Sequence, residues 1–332
     1  MQIEENISLK PYNTFGIDVP ARCMVVLEPG DDPALLHPFT EGRYMLLGAG
    51  SDVVFTQPYD GTVIRLSLEF GVRSQETSNN STLNTQHSTL IKVWGGMVMD
   101  QLIEWTLEHG LYGVENLSAI PGTVGAAAVQ NVGAYGVEAK DIIAQVEAYD
   151  LQQNALCTFS NEECYFAYRD SMFKHNPGRY LVLWVTFRLS DTFVPNLSYK
   201  ALADVPHATA QQMRSSIADM RWTKLPRPEE HGSAGSYFKN PIVDAATVDR
   251  LKTDYPDMPV YPGNKLSAGW LIDKAGWKGK TMGRAGVWPK NALVLYNTGG
   301  CTGSEVADLA AAIVADVQAK FGITLTPEAI IV

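Results

Sequence analysis

The chain has 332 residues, 45% hydrophobic and 19% charged, the composition of a soluble globular protein with room for about two domains. It carries 26 Lys and Arg against 36 Asp and Glu, a net charge of −10. That balance speaks against a nucleic-acid partner, because neutralising phosphates needs a basic face.

The charge is uneven. Residues 221–290 hold 12 basic and 7 acidic side chains, +5 in all, either a surface that attracts a small anionic ligand or a chance excess. Residues 1–10 carry two acids and no long apolar run, so no secretory signal is expected. No stretch approaches the roughly 18 apolar residues of a membrane span. Cys23, Cys157, Cys164 and Cys301 form no CxxC and read as reduced thiols of a cytoplasmic protein. The six histidines are scattered, and no metal site is expected.

Along the chain, 24–27, 44–47, 53–55 and 63–66 read as strands. Polar, low-complexity residues 74–89 read as an exposed loop, and the Asn80-Ser81-Thr82 glycosylation pattern within it reads as chance. A strand at 91–94 and a helix at 97–109 ending at Gly110 follow. Residues 116–138 are nearly uncharged, with four glycines and five alanines, a composition that lets backbone approach a ligand or another backbone closely. Strands at 143–149 and 181–189, a connecting region at 190–222 with a helix near 208–220, and a change of pattern after Pro228 come next. A long amphipathic helix is predicted over 305–321, N-capped by Thr302 or Ser304. Residues 324–332 read as a closing strand, and a domain boundary is placed near 222.

Several nucleotide motifs fail. Gly48-Ala49-Gly50-Ser51-Asp52 begins like a dinucleotide fingerprint, but Val53 stands where its third glycine belongs. Gly279-Lys280-Thr281 lacks the preceding glycine of a phosphate loop, having Lys274 there. No GxSxG elbow is present. Two glycine-rich loops remain, 48–52 and 121–136. Each alone suits a tight turn; together they suit a bulky cofactor whose pyrophosphate is cradled by backbone N–H groups. Two polar clusters stand out as well. Arg169 in Tyr168-Arg169-Asp170-Ser171 reads in isolation as a surface ion pair with Asp170, and Ser236 in Gly232-Ser233-Ala234-Gly235-Ser236 as a turn serine.

Taken together, the chain resembles the UDP-N-acetylenolpyruvoylglucosamine reductase family. The resemblance runs from Asn13-Thr14-Phe15-Gly16 to Pro327-Glu328. It includes IPGTVGAAAVQNVGAYGVE at 120–138, YRDSMFK at 168–174, TKLPRP at 223–228, GSAGSYFKNP at 232–241, KLSAGWLIDKAGWKG at 265–279 and ALVLYNTG at 292–299. Leu197-Ser198-Tyr199 is similar to the subtype with an extra substrate-covering loop. Asp52, Trp288 and Ile330 depart from the residues common at those places, asparagine, histidine and arginine.

The resemblance implies an α+β fold: a two-lobed FAD-binding domain of the vanillyl-alcohol-oxidase/PCMH type plus a C-terminal α/β substrate domain. The lobes are expected at 1–70 and 71–222, with the substrate-covering loop near 190–205. The substrate domain is expected at 223–332, its last strand returning to the active site. The implied activity is NADPH-dependent reduction of a UDP-sugar enolpyruvyl ether through non-covalent FAD, NADPH and substrate using one cleft, in a monomeric cytoplasmic enzyme. Arg169, Ser236 and Glu328 are implied to be catalytic. Gly48, Ala49, Gly50, Ser51, Asp52, Ile120, Pro121, Gly122, Thr123, Gly125, Gln130, Asn131, Gly133 and Gly136 are implied to hold FAD, and Tyr168, Tyr199, Lys224, Asn240 and Lys278 the substrate. Another FAD oxidoreductase of the same cofactor-binding class, or a flavoprotein without catalysis, would share the glycine-rich loops without needing all three catalytic residues.

Overall fold

The computed structural model describes residues 1–77, 88–204 and 206–332, with the side chains of 74–77 left aside. The chain divides into two compact units. Unit one comprises Met1–Ile7, Ala21–Ala49 and Asp60–Arg221, and unit two Ser8–Pro20, Gly50–Tyr59 and Trp222–Val332. The Arg221/Trp222 junction lies beside the boundary placed near 222. Residues 8–20 and 50–59, expected within the first lobe, group with the C-terminal part.

Unit one contains two sheets. One has the order Gln2–Ser8, Pro20–Leu27, Tyr59–Leu66, Tyr44–Leu46, with the last pair parallel. The other is antiparallel, in the order Ala155–Ser160, Ile143–Asp150, Tyr180–Ser190, Ser88–Trp94, Val72–Thr77. Tyr180–Ser190 is central and nearly continuously apolar, as a strand covered on both faces should be. Helix Met99–Glu108 buries Met99, Leu102, Ile103, Thr106 and Leu107, the i, i+3, i+4, i+7, i+8 stripe of a helix with one face in a core. Gly110, at φ +67°, follows its end.

Unit two is built on the antiparallel sheet Ser233–Ser236, Val294–Asn297, Ala285–Val287, Thr281–Met282. Helix Gly303–Phe321 buries Val306, Leu309, Ile313, Val317 and Phe321. The Thr302 hydroxyl accepts the Glu305 N–H at 3.3 Å, and Glu305 accepts the Thr302 N–H at 2.8 Å, a capping box of the expected kind. That second bond, with help from Arg284, holds the Glu305 carboxyl down to about 2. Val53–Val54 pairs in parallel with Ile330–Ile331.

Several expectations need correction. The loop expected over 74–89 is entered by strands Val72–Thr77 and Ser88–Trp94, because the polar run continues a ladder started by apolar residues outside it. Asn80-Ser81-Thr82 lies outside the described residues. The glycine-rich segment contains a helix, Val124–Gln130. Strand Gln2–Ser8 was not anticipated: it is a largely exposed edge strand and lacks the alternation that marks a half-buried one. Of the closing segment only Ile330–Ile331 is a strand.

A buried ion pair anchors the large sheet. Asp150 is 1% exposed and accepts Arg179 Nε at 2.9 Å and Nη2 at 2.6 Å. Burial alone would raise its carboxyl, but hydrogen bonds from Arg179 and from the Gln153 and Gln152 amides outweigh it and leave it below the usual range. A lowered carboxylate stabilises the fold above its unfolded-state pKa and loses that contribution as pH falls through the folded one. Arg179→Ala should therefore lower stability in urea unfolding at neutral pH, because it leaves Asp150 charged and unpaired. The gap from wild type should shrink as pH falls below about 4, the ordinary aspartate range; a gap independent of pH would contradict this account.

Candidate active site

In unit one Gly48, at the start of the 48–52 segment, meets the 121–136 segment. A Cβ on Gly48 would lie 3.1 Å from both Ala126 Cβ and Thr123 Oγ1, so the 48–49 backbone runs against the start of helix Val124–Gln130. Thr123 N-caps that helix, accepting the Ala126 N–H at 3.3 Å. Gly125 packs backbone to backbone: its N–H reaches Gly95 O at 2.8 Å, and a Cβ there would meet the Gly95 and Val182 carbonyls at 3.1 and 3.2 Å. The Met99 N–H reaches Gly122 O at 3.0 Å and the Val124 N–H reaches Met97 O at 2.9 Å, which fixes the turn between Ile120, Pro121 and Thr123. The small residues thus serve close backbone approach, as their composition predicts.

Asn131 caps this helix in the left-handed region, at φ +43°. It is fully buried; its amide donates to Ala167 O at 2.8 Å and its oxygen accepts the Lys140 N–H at 3.0 Å. The Asn131 side chain therefore holds the neighbouring turn. Gln130 accepts Lys174 Nζ at 2.7 Å. Ala167 and Asp170 exchange both backbone hydrogen bonds, at 3.0 and 3.1 Å, leaving Tyr168 and Arg169 at the tip of a two-residue turn. Arg169 adopts φ +53°, a strained conformation of the sort found at functional sites. Its Nη2 donates to Gly133 O at 2.7 Å, and its guanidinium lies 5.5 Å from the Tyr168 ring centre. Asp170 bonds His175 Nε2 at 2.8 Å.

Tyr199 is joined to the same region. Its ring meets Tyr135 edge-on, 5.1 Å between centres. Gly136 has φ +89°, and a Cβ there would fall 2.0 Å from Ser198 Oγ, so any other residue would strain the backbone and displace the Ser198 side chain. Buried Asn116 ties both loops, donating to Tyr135 O at 2.7 Å and Asn196 O at 3.0 Å. Nothing in the sequence reading singled out Asn116 or Gly95; their signals, a polar residue among apolar ones and a glycine pair after a strand, are too common to stand out.

In unit two the turn at Asn13-Thr14-Phe15-Gly16 acts as a clip. Thr14 N–H donates to Gly50 O at 3.0 Å, and its hydroxyl donates to Ser233 O at 2.6 Å. Gly50 has φ +67°, and a Cβ there would lie 2.0 Å from Tyr12 O. Past half-buried Ser51, the Asp52 carbonyl accepts the Ile330 N–H at 2.9 Å. Beyond Ser236, the Tyr237 N–H donates to Leu293 O at 2.8 Å, while Tyr237 O accepts the Glu328 N–H at 2.8 Å and Lys239 N–H donates to Thr326 O at 2.9 Å. The segment carrying Ser236 is thus paired on one side with 293–297 and on the other with 326–329, which brings two of the three implied catalytic residues onto neighbouring backbone. Burial pushes the Tyr237 phenol up to about 12, so this tyrosine is a neutral wall. Asn240 accepts the Ala268 N–H at 2.9 Å, at the start of helix Ala268–Lys274. Lys278 is exposed and 3.3 Å from Asp273 Oδ2; Lys224 is exposed.

Burial raises the thiols of Cys164 and Cys301 to about 12, so neither is a nucleophile. Among the described residues no group of three His, Cys, Asp or Glu could hold a metal, and no helix is long and apolar enough to cross a membrane.

Residues 40–155 match the model of an FAD binding domain, and 227–332 match that of the UDP-N-acetylenolpyruvoylglucosamine reductase C-terminal domain. The mixed α+β fold with a flavin-binding part defines an FAD-dependent oxidoreductase. The chain is 41% identical to the UDP-N-acetylenolpyruvoylglucosamine reductase of Pseudomonas aeruginosa over 99% of this chain and 98% of that one. It is 40% identical to that of Bacteroides fragilis over 98% and 99%. The crystal structure of the Thermus caldophilus reductase (MurB) superposes with a TM-score of 0.67 at 25% identity, covering 100% of this chain and 99% of that one. The chain belongs to the UDP-N-acetylenolpyruvoylglucosamine reductase family. The match to an FAD binding domain over 40–155 takes in both glycine-rich segments, which at Gly48 lie against each other with only small side chains between them, bare backbone of the kind that suits a nucleotide diphosphate.

Gly50→Ala tests the clip. It should destabilise the protein by about 3 kcal/mol or more, through both the clash and the backbone strain, and lower the flavin absorbance per purified chain. Gly30→Ala, at φ +108° with nothing within 4 Å of the new Cβ, is the control for strain alone and should keep its flavin. Wild-type melting and flavin content in Gly50→Ala would refute the clip.

Proposed function

We propose that this chain reduces the enolpyruvyl ether of UDP-N-acetylglucosamine to UDP-N-acetylmuramate, a step in making peptidoglycan precursors, with NADPH as the electron source. The observation that supports this most directly is the shared backbone pairing of the Ser236 and Glu328 segments through Tyr237, in a chain with full-length relatives of that name.

When bound, FAD would supply the hydride chemistry at the terminal CH2 carbon of the substrate, with NADPH as the source of its electrons. The chain's own residues handle the charge and the proton. Arg169 pairs with the substrate carboxylate through its forked guanidinium and stabilises the negative charge that builds on the adjacent carbon. Ser236 gives its hydroxyl proton to that carbon, which completes addition of one hydride and one proton across the double bond. A serine hydroxyl is a weak acid, so its oxygen must be reprotonated from solvent, and Glu328 is the group we assign to support that exchange.

FAD is held through the backbone of 48–52 and 120–125 and the small residues near Gln130, Gly133 and Gly136. Residues 223–332 bind the nucleotide. Tyr199, Lys224, Asn240 and Lys278 meet the diphosphate and sugar, the lysines as compact positive charges, and Tyr168 orients Arg169. NADPH and the UDP-sugar bind in turn, and the reaction runs in the cytoplasm, where NADPH is supplied.

Following NADPH oxidation with and without the UDP-enolpyruvyl sugar tests the activity; equal rates in both would sink it. Ser236→Ala should keep flavin reduction by NADPH while its reoxidation by substrate falls by about 100-fold or more. Equal loss of both steps would make Ser236 structural. Arg169→Lys should lower turnover by at least about tenfold, because an ammonium cannot grip two oxygens in one plane; near-normal turnover would refute that role.

A further inference from the structure

We infer that Gly235 is the positioning residue for the Ser236 hydroxyl, acting through a β-bulge. The inference rests on the reading of Ser236 as proton donor.

Ser233 stands opposite Tyr296 and Ser236 opposite Val294, so three steps on one strand match two on its partner. Side chains alternate faces along a strand, and directly opposed residues share a face. Tyr296 and Val294 share a face, so Ser233 and Ser236 share it too, although their spacing is odd. In a regular ladder Ser236 would stand opposite Leu293 and point to the other face. The extra residue turns it over, which is the re-aiming that bulges perform.

Gly235 makes the bulge possible. It has φ +65°, and a Cβ there would meet nothing within 4 Å. What the position demands is therefore left-handed backbone and not space. Both flanks are pinned. Ser233 donates to Thr14 O at 3.0 Å and accepts the Thr14 hydroxyl at 2.6 Å. Tyr237 donates to Leu293 O and accepts from Glu328, each at 2.8 Å. Strain introduced at 235 has only Ala234 and Ser236 to move.

The test compares Gly235→Ala, Gly235→Asn, Ser236→Ala and the Gly235→Ala/Ser236→Ala double variant as flavin-loaded proteins. Each is reduced with NADPH and mixed with UDP-N-acetylglucosamine enolpyruvate in a stopped-flow instrument, with melting temperatures measured alongside. Gly235→Ala should slow reoxidation by on the order of 10- to 100-fold through misplacement of the hydroxyl. Gly235→Asn should recover most of the rate, since asparagine tolerates left-handed backbone, although its side chain is larger. The double variant should be no slower than Ser236→Ala. Asparagine slower than alanine would mean obstruction by a side chain and would overturn the inference, as would wild-type reoxidation in Gly235→Ala or further slowing in the double variant. If Gly235→Ala does not fold, Gly235→Asn alone decides: a wild-type rate supports the inference, and a loss as deep as that of Ser236→Ala overturns it. Wild-type reoxidation in Ser236→Ala would instead overturn the proton-donor reading itself.

Discussion

The carbonyl of Tyr237 and the amide of Glu328, 2.8 Å apart, form the contact on which the placement of Ser236 and Glu328 depends. It joins residues far apart in sequence through backbone, so it is indifferent to side-chain identity at either end. It works because Tyr237 is almost wholly buried, 2% exposed, where water cannot compete for the carbonyl and an unmade hydrogen bond is costly. Ser236 and Glu328 inherit their placement from it, one residue before the carbonyl and at the amide itself.

Unit one solves a different problem. It keeps a polar turn, Tyr168 and Arg169, at a set place against a segment with almost no polar side chains. Amide and hydroxyl groups do this. Asn131 takes the Ala167 carbonyl, Ser171 donates to Val129 O at 2.6 Å, and Asn116 ties the 135 and 196 carbonyls. All three are buried to within a few per cent, where a satisfied polar network specifies one geometry and a half-satisfied one is costly.

Legibility in the sequence followed contrast. The 303–321 helix and its Thr302 cap were readable because apolar spacing and cap chemistry agree. The Val124–Gln130 helix was not, because a run of Gly, Ala and Val offers no polar face against which periodicity can show. Arg169, Ser236 and Glu328 stood out as chemistry only through the family resemblance, since each alone has an ordinary reading. Their placement was out of reach: the positive φ of Arg169 follows from the Ala167–Asp170 pairing, and the facing of Ser236 from a partner strand some 60 residues away. The side-chain oxygens of Asn131 and Asn240 accept backbone amides, a structural use of asparagine that sequence pattern does not reveal.

The parallel pairing of Val53–Val54 with Ile330–Ile331, extended by the Thr56 N–H to Val332 O at 2.7 Å, has a consequence for biosynthesis. At the 5–20 residues per second of a ribosome, about 15 seconds or more separate the emergence of the two halves of this ladder. Throughout that time 50–59 lacks the strand that pairs with it. The valines there belong to a nascent chain whose second unit cannot close, so this ladder is completed late in synthesis.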